Sequence, residues 1–369
     1  FGGHFNFQLN YIHVSQLSIN SVKQFILIFY LRSFMSRKSF RKALNEALRH
    51  EMQKDERVIV IGEDQAGGTG APGEQDAWGG SLGVTKGLLH LFGPERVIDT
   101  PITESAFIGA AAGAALSGLR PVADLMFVDF MGVCFDQIFN QAAKFKYMFG
   151  GKAKTPLVVR THYGAGIRGG SQHSQSLYPI FTHIPGLKVV IPSSPYDAKG
   201  LLKMACRLDD PVIFMEHKGL YRQGFASTLE PDGNYLIPFG KASLIKEGND
   251  VTIVTWGALV QKSIEAAQNS RKSIEIIDIR TLNPLDMETI ITSIQKTNRV
   301  IVAHEDNLKN GFGAEIAARI GDEAFEYLDA PIKRVASKDS PIAYSTILEN
   351  ELLVQTSWIE SAIQEIVHY

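Results

Sequence analysis

Between residues 40 and 53 the apolar side chains Phe40, Ala43, Leu44, Ala47, Leu48 and Met52 recur every three or four positions, with Arg, Lys, Glu and His filling the gaps. That spacing predicts an amphipathic helix with one buried stripe. Short apolar runs follow at 57–61, 96–99, 122–127, 156–161, 187–191 and 211–216. They show no alternating polar face, which is the pattern of strands covered on both sides. Helical stretches at 105–117, 133–149 and 196–208 separate several of them. Glycine and proline then crowd residues 220–240, which read as a connector. Beyond it, strand runs at 251–255, 274–279, 300–304 and 332–335 alternate with helical stretches at 260–268, 286–295, 313–320 and 354–368. The alternation predicts an α/β chain of two units, with parallel or mostly parallel sheets covered on both faces.

A length of 369 residues suits two or three domains, and 45% hydrophobic with 21% charged residues is ordinary globular composition. The formal net charge of -2 gives no global basic field, which argues against nucleic acid or an anionic membrane as partner. Residues 1–34 read differently: they hold Lys23 and Arg32, no Asp or Glu, and an apolar run at 25–31 too short to span a bilayer. The helical pattern begins just after Met35, so residues 1–34 are expected to be an extension foreign to the folded unit. A targeting peptide, a surface extension and a partner-binding strand are the alternatives. Cys134 and Cys206 lie far apart and in no metal-ligand spacing, as suits the cytoplasm or an organelle matrix.

Two glycine-rich stretches carry more information. Residues 62–80 hold seven glycines and Pro72, too many for a regular element, so a long loop there is expected to cover or hold something. Residues 164–169 match the spacing GxGxxG after an apolar strand, which raises a nicotinamide site. The helix that should open inside such a motif is missing, and no acidic residue follows at the required distance. A glycine-rich loop beside a catalytic residue fits better. The run Gly109-Ala110-Ala111-Ala112-Gly113, with Gly118 beyond, gives a helix face without bulk; it suits close packing inside the domain or a subunit contact beside a cofactor, and both stay open.

Four landmarks, Asp99-Thr100-Pro101-Ile102-Thr103-Glu104, Leu119-Arg120-Pro121-Val122, Phe127-Val128-Asp129-Phe130 and Gln172-His173-Ser174-Gln175, together resemble the beta subunits of heterotetrameric thiamine-diphosphate-dependent dehydrogenases. The resemblance runs over residues 35–369 and includes Thr281-Leu282-Asn283-Pro284-Leu285-Asp286 and Gly311-Phe312-Gly313-Ala314-Glu315-Ile316. It implies a pyrimidine-binding thiamine-diphosphate domain at 35–225, a linker at 226–240 and a transketolase-like carboxy-terminal α/β domain at 241–369. The stretches 70–80 and 130–137 and the triple Glu216-His217-Lys218 look most like acetoin dehydrogenase beta subunits. Pyruvate dehydrogenase is the runner-up, and a branched-chain 2-oxo acid is the third substrate class.

Taken alone, Glu104 is a helix-start acid, Phe130 and Ile102 are core-type residues, and His173 is a loop histidine. The resemblance implies more. Glu104 would meet the aminopyrimidine nitrogen of thiamine diphosphate, Phe130 and Ile102 would wall the cofactor, and His173 would serve the reacting intermediate and the incoming lipoyl group. Backbone carbonyls of Leu157, Ala205 and Leu208 would hold a potassium ion. The Gly-Asp-Gly and Asn arrangement that holds magnesium and diphosphate in this family has no counterpart here, so an alpha subunit is expected to supply it in an alpha2beta2 heterotetramer. The implied reaction cleaves acetoin and passes the acetyl unit oxidatively to lipoyl on an acyltransferase; dihydrolipoyl dehydrogenase, with FAD and NAD, would act elsewhere in the complex. His162, His183 and His217 receive no role, and their scatter defines no metal cluster.

Overall fold

The computed structural model describes residues 35–66, 79–221, 228–231 and 234–369. The expected extension at 1–34, most of the glycine-rich loop at 62–80 and part of the linker at 226–240 lie outside the described residues. Strand β1 (Met35–Lys38) pairs antiparallel with β8 (Thr228–Pro231) in a small ribbon. The main sheet takes β2 (Val58–Gly62), β3 (Val97–Asp99), β4 (Arg120–Phe127), β5 (Val158–Tyr163), β6 (Lys188–Val190), β7 (Val212–His217) and β12 (Thr281–Asn283). Its spatial order is β12-β6-β7-β5-β4-β2-β3. All pairs are parallel except β12 with β6. The second sheet, ordered β14-β13-β10-β11-β9, uses β9 (Ser243–Lys246), β10 (Val251–Thr255), β11 (Ile274–Asp278), β13 (Val300–Asn307) and β14 (Lys333–Ser337). Only its edge strand β9 runs antiparallel.

The unbroken apolar runs are explained by two cores, one on each face of the main sheet. Val58, Val60, Val122 and Val158 face the helices Phe40–Lys54 and Pro195–Arg207, packing on Phe40, Leu44, Leu48, Leu201 and Leu202. Ile61, Ala123, Leu125 and Val159 face the opposite way, onto Phe107, Ile108 and Ala111 of helix Glu104–Leu116. That second core continues into the carboxy-terminal sheet through Tyr178, Trp256, Ile277 and Val302. Local signals fit the helix starts: Ser39 and Ser194 cap the first two helices, and Pro195 occupies the first turn of the second.

The helix expected at 133–149 is broken into Met131–Asp136, a wider π turn at Gln137–Ala142 and Phe145–Met148. The disturbance lies where Gly186, at φ +99, runs against the Ala143 carbonyl so closely that a Cβ would come within 2.1 Å of it. Strands β9 and β12 were not expected. Each has three or four residues, and β9 leaves Leu244 and Ile245 exposed, so neither carries a clear buried pattern.

One buried ion cluster ties the central strands together. Arg160 on β5 donates to Asp124 on β4 at 2.6 Å and to Glu216 on β7 at 2.8 Å, all within the sheet interior. Burial alone would push the Glu216 carboxyl up; Arg160 and His162 outweigh it and hold the group down to about 2. The stability this lowered pKa supplies is complete above the ordinary carboxylate value and is lost as pH falls toward 2. Arg160→Leu is expected to strand two buried carboxylates and to cost about 3–5 kcal/mol at pH 7, measured by urea unfolding.

A candidate active site at the strand ends

In open parallel sheets ligands bind beyond the carboxyl ends of the strands. Here β2 runs out at Glu63, β3 at Asp99, β4 at Phe127, β5 at Tyr163, β7 at His217 just before Lys218, and β13 at Asn307 just past Glu305 and Asp306. The chain leaves β3 through Thr100, Pro101, Ile102 and Thr103, and Glu104 opens the next helix half-buried. A helix amino terminus favours a carboxylate, so position and charge agree. Glu63 lies beside it: burial, then the Asp64 and Glu104 carboxylates, push the Glu63 carboxyl upward. The site therefore holds a second acid. Ser105 donates to the Val133 carbonyl, which ties the start of the Glu104 helix to helix Met131–Asp136, just past the turn that follows β4.

That turn, Val128–Phe130, presents Phe130 to the loop that follows β5. Phe130 and His173 meet edge to face at 5.5 Å, and Phe127 meets His173 at 5.5 Å and Phe130 at 5.7 Å. Three rings thus stand mutually edge-on, a geometry that fixes the imidazole without using its nitrogens.

The loop itself has no regular structure, and it is held by hydrogen bonds at both ends. The Gly164 amide donates to the Gln175 carbonyl at 2.9 Å, closing the base. At the end of the loop, Asp129 Oδ1 accepts from the Gln175 amide at 3.1 Å and from its side chain at 3.0 Å. At the start, the buried Glu305 carboxylate accepts from the Ala165 amide at 2.8 Å and from His217 Nε2 at 2.7 Å, while His217 Nδ1 accepts from the Gly219 amide. Burial would raise the Glu305 pKa, but His217 and the Ala165 amide hold it to about 2. Ser171 Oγ donates to the Ile342 carbonyl at 2.9 Å. Two of these anchors, Glu305 and Ile342, come from the carboxy-terminal unit.

The expected residues fall into two places. Glu104, Phe130 and His173 gather at the strand ends, and Ile102 stands beside them 73% exposed. Leu157 and Leu208 instead lie toward the opposite ends of β5 and β7. The Leu157 carbonyl accepts from Val212, that of Ala205 from Leu208, and that of Leu208 from the Arg120 guanidinium. Among the described residues no group of three or more His, Cys, Asp or Glu is placed to hold a metal ion, and no helix is long and apolar enough to cross a membrane. Glu63, Asp129, His217, Lys218 and Glu305 belong to the site and were not singled out by role. The polar triples at 216–218 and 304–306, each following an apolar run, are the signal that could have found His217, Lys218 and Glu305.

A doubly covered parallel sheet with its polar cluster at the carboxyl ends, followed by a second α/β unit, defines a transketolase-type architecture. The family described as "Transketolase, pyrimidine binding domain" matches residues 36–223, and "Transketolase, C-terminal domain" matches 240–359. The chain is 52% identical over 335 residues to the beta subunit of acetoin:2,6-dichlorophenolindophenol oxidoreductase of Cupriavidus necator, covering 90% of this chain and 98% of the relative. It is 46% identical over 334 residues to the pyruvate dehydrogenase E1 component subunit beta of Rickettsia conorii, with coverage of 89% and 98%. A solved split-gene transketolase, an inactive beta4 tetramer, shares the fold at TM-score 0.71 and 23% identity, over 90% of this chain and 99% of that one. The chain belongs to the transketolase-like family of oxidoreductase beta subunits.

Gly164 is a tightly constrained point at the base of the loop. It sits at φ +76, and a Cβ there would lie 2.5 Å from the His217 ring and 2.7 Å from Glu305 Oε1. Gly164→Ala is expected to break the Glu305 clamp and to cost about 2–4 kcal/mol in chemical unfolding, the sum of left-handed strain and overpacking.

Proposed function

We propose that this chain is the beta half of a thiamine-diphosphate-dependent acetoin dehydrogenase. The observation that carries the reading is that Glu104, Phe130 and His173 all follow the carboxyl ends of strands in one sheet, with Phe130 and His173 in ring contact and the Glu104 helix tied to Val133 by Ser105. The neighbouring surface is apolar: Ile102 is 73% and Val133 63% exposed, and Ala106, Ala110 and Gly113 leave one face of the Glu104 helix bare. Exposed apolar surface beside a polar cluster suits a site completed by another chain. An alpha subunit would cover it, supplying the magnesium and diphosphate ligands that the described residues lack, in an alpha2beta2 assembly with two cofactor sites.

The residues fit the pyrimidine half of the cofactor. Bound thiamine diphosphate supplies the nucleophilic carbon that attacks the substrate carbonyl. Glu104 would hold a proton at the aminopyrimidine ring nitrogen, Phe130 and Ile102 would fix the ring plane, and Glu63 would keep a second proton close to Glu104. His173, set by two aromatic rings, would exchange a proton with the reacting group as the acetyl unit passes to lipoyl on an acyltransferase. Dihydrolipoyl dehydrogenase, with FAD and NAD, would then reoxidise lipoyl. A potassium ion at Leu157, Ala205 and Leu208 would share those carbonyls with their present donors, far from the reacting groups. Cleavage of acetoin releases acetaldehyde, and the 52% identity to an acetoin-type relative against 46% to a pyruvate-type one favours that substrate.

Two measurements on the tetramer reconstituted with its alpha subunit check this reading. Acetoin is expected to give a larger specificity constant than pyruvate or branched-chain 2-oxo acids at equal concentration; a larger constant for pyruvate would move the chain to that enzyme. Glu104→Gln is expected to keep assembly and cofactor occupancy while turnover and thiamine C2 proton exchange fall by about 10² or more. Unchanged exchange in a fully loaded tetramer would leave Glu104 a helix-start acid only.

A further inference from the structure

Lys218 has no part in the chemistry above, yet it is fully buried, and its Nζ makes no hydrogen bond among the described residues. It begins the 3-10 turn Lys218–Tyr221 directly after β7. Its ammonium lies 4.9 Å from the centroid of the Phe127 ring, the ring on which both Phe130 and His173 stand edge-on. Two carboxylates face it, Asp129 from the turn after β4 and Glu305 from the end of β13. These are the acids that hold the end and the start of the His173 loop, through Gln175 and Ala165. Asp129 Oδ2 is buried without a hydrogen-bond partner, and the Lys218 ammonium acts on this carboxylate through its charge alone.

We propose that Lys218 is a positioning residue for His173, a single buried cation shared by the two carboxylates that anchor the loop and stacked on the ring that orients the imidazole. Burial pushes its pKa down to about 8 against the pull of Asp129 and Glu305, so the ammonium persists at neutral pH. A lysine kept in the interior without a hydrogen bond costs stability on its own account. The loop it anchors explains its place. The consequence for turnover rests on the role given to His173 above; the consequence for the loop does not.

The test uses the reconstituted tetramer carrying Lys218→Met, which keeps the shape and removes the charge. Amide hydrogen exchange in peptides covering 164–175 is expected to speed up about tenfold, while helix Pro195–Arg207 exchanges as before. A purely structural lysine would not separate loop from global stability in this way. Turnover is expected to fall about tenfold with cofactor affinity retained. Unchanged loop exchange would overturn the proposal, and so would equal acceleration in both regions. Faster loop exchange with full turnover would leave Lys218 as the loop's anchor and remove His173 from the chemistry. Asp129→Asn, which weakens the same anchor from the other side, should reproduce the loop effect.

Discussion

The Glu305 carboxylate, set between the His217 ring and the Ala165 amide, is the contact through which the carboxy-terminal unit governs the strand-end site. A loop of glycines and hydroxyl residues has little intrinsic preference for one shape, and its conformational entropy must be offset by specific bonds. Here those bonds are carboxylates aimed at backbone amides, the acceptors best suited to a segment with few side chains of its own. Low dielectric strengthens each of them, and the same burial would make a stranded carboxylate costly. The shape of the loop therefore depends on the second domain. This coupling gives a physical reason for the second domain's presence in a site whose landmark acid, ring and imidazole all lie on the first.

The proposed division of the site rests on the same geometry. The strand ends present an acid at a helix start, a second acid beside it and three rings edge to edge, but their outer side is apolar and bare. Half a pocket of this kind can fix a heteroaromatic ring and manage its protons, while the anionic end of a cofactor needs donors from elsewhere. The buried Arg160 cluster secures the platform beneath it by cross-linking β4, β5 and β7 where their side chains have no access to water.

Much of this was legible in the chain. Apolar runs without alternation gave strands buried on both faces, and the strand at 251–255 coincides with β10. Helix periods located the covering helices, and the failure of the glycine motif to open a helix located the loop. What stayed hidden depends on three-dimensional proximity. Nothing local announces that β12 crosses to the main sheet, because three residues pairing with β6 leave no period to read. The triple His304-Glu305-Asp306 shows the limit for sites: Glu305 anchors the loop, Asp306 is pushed up to about 7 mainly by burial, and His304 is a buried ring stacked on Trp256 with neither nitrogen bonded. Gly313 makes room for that ring, since a Cβ would lie 2.4 Å from His304 Nε2, so part of the Gly311-Phe312-Gly313 landmark is packing rather than chemistry.

The claim that the cofactor site is completed only by a second kind of chain is tested most directly by titrating thiamine diphosphate, with magnesium, into this chain alone, the alpha subunit alone and their mixture. Calorimetry is expected to show tight, saturable binding of one cofactor per alpha-beta pair in the mixture and none of comparable affinity in this chain alone. Equally tight binding by this chain alone, accompanied by turnover, would contradict the divided site.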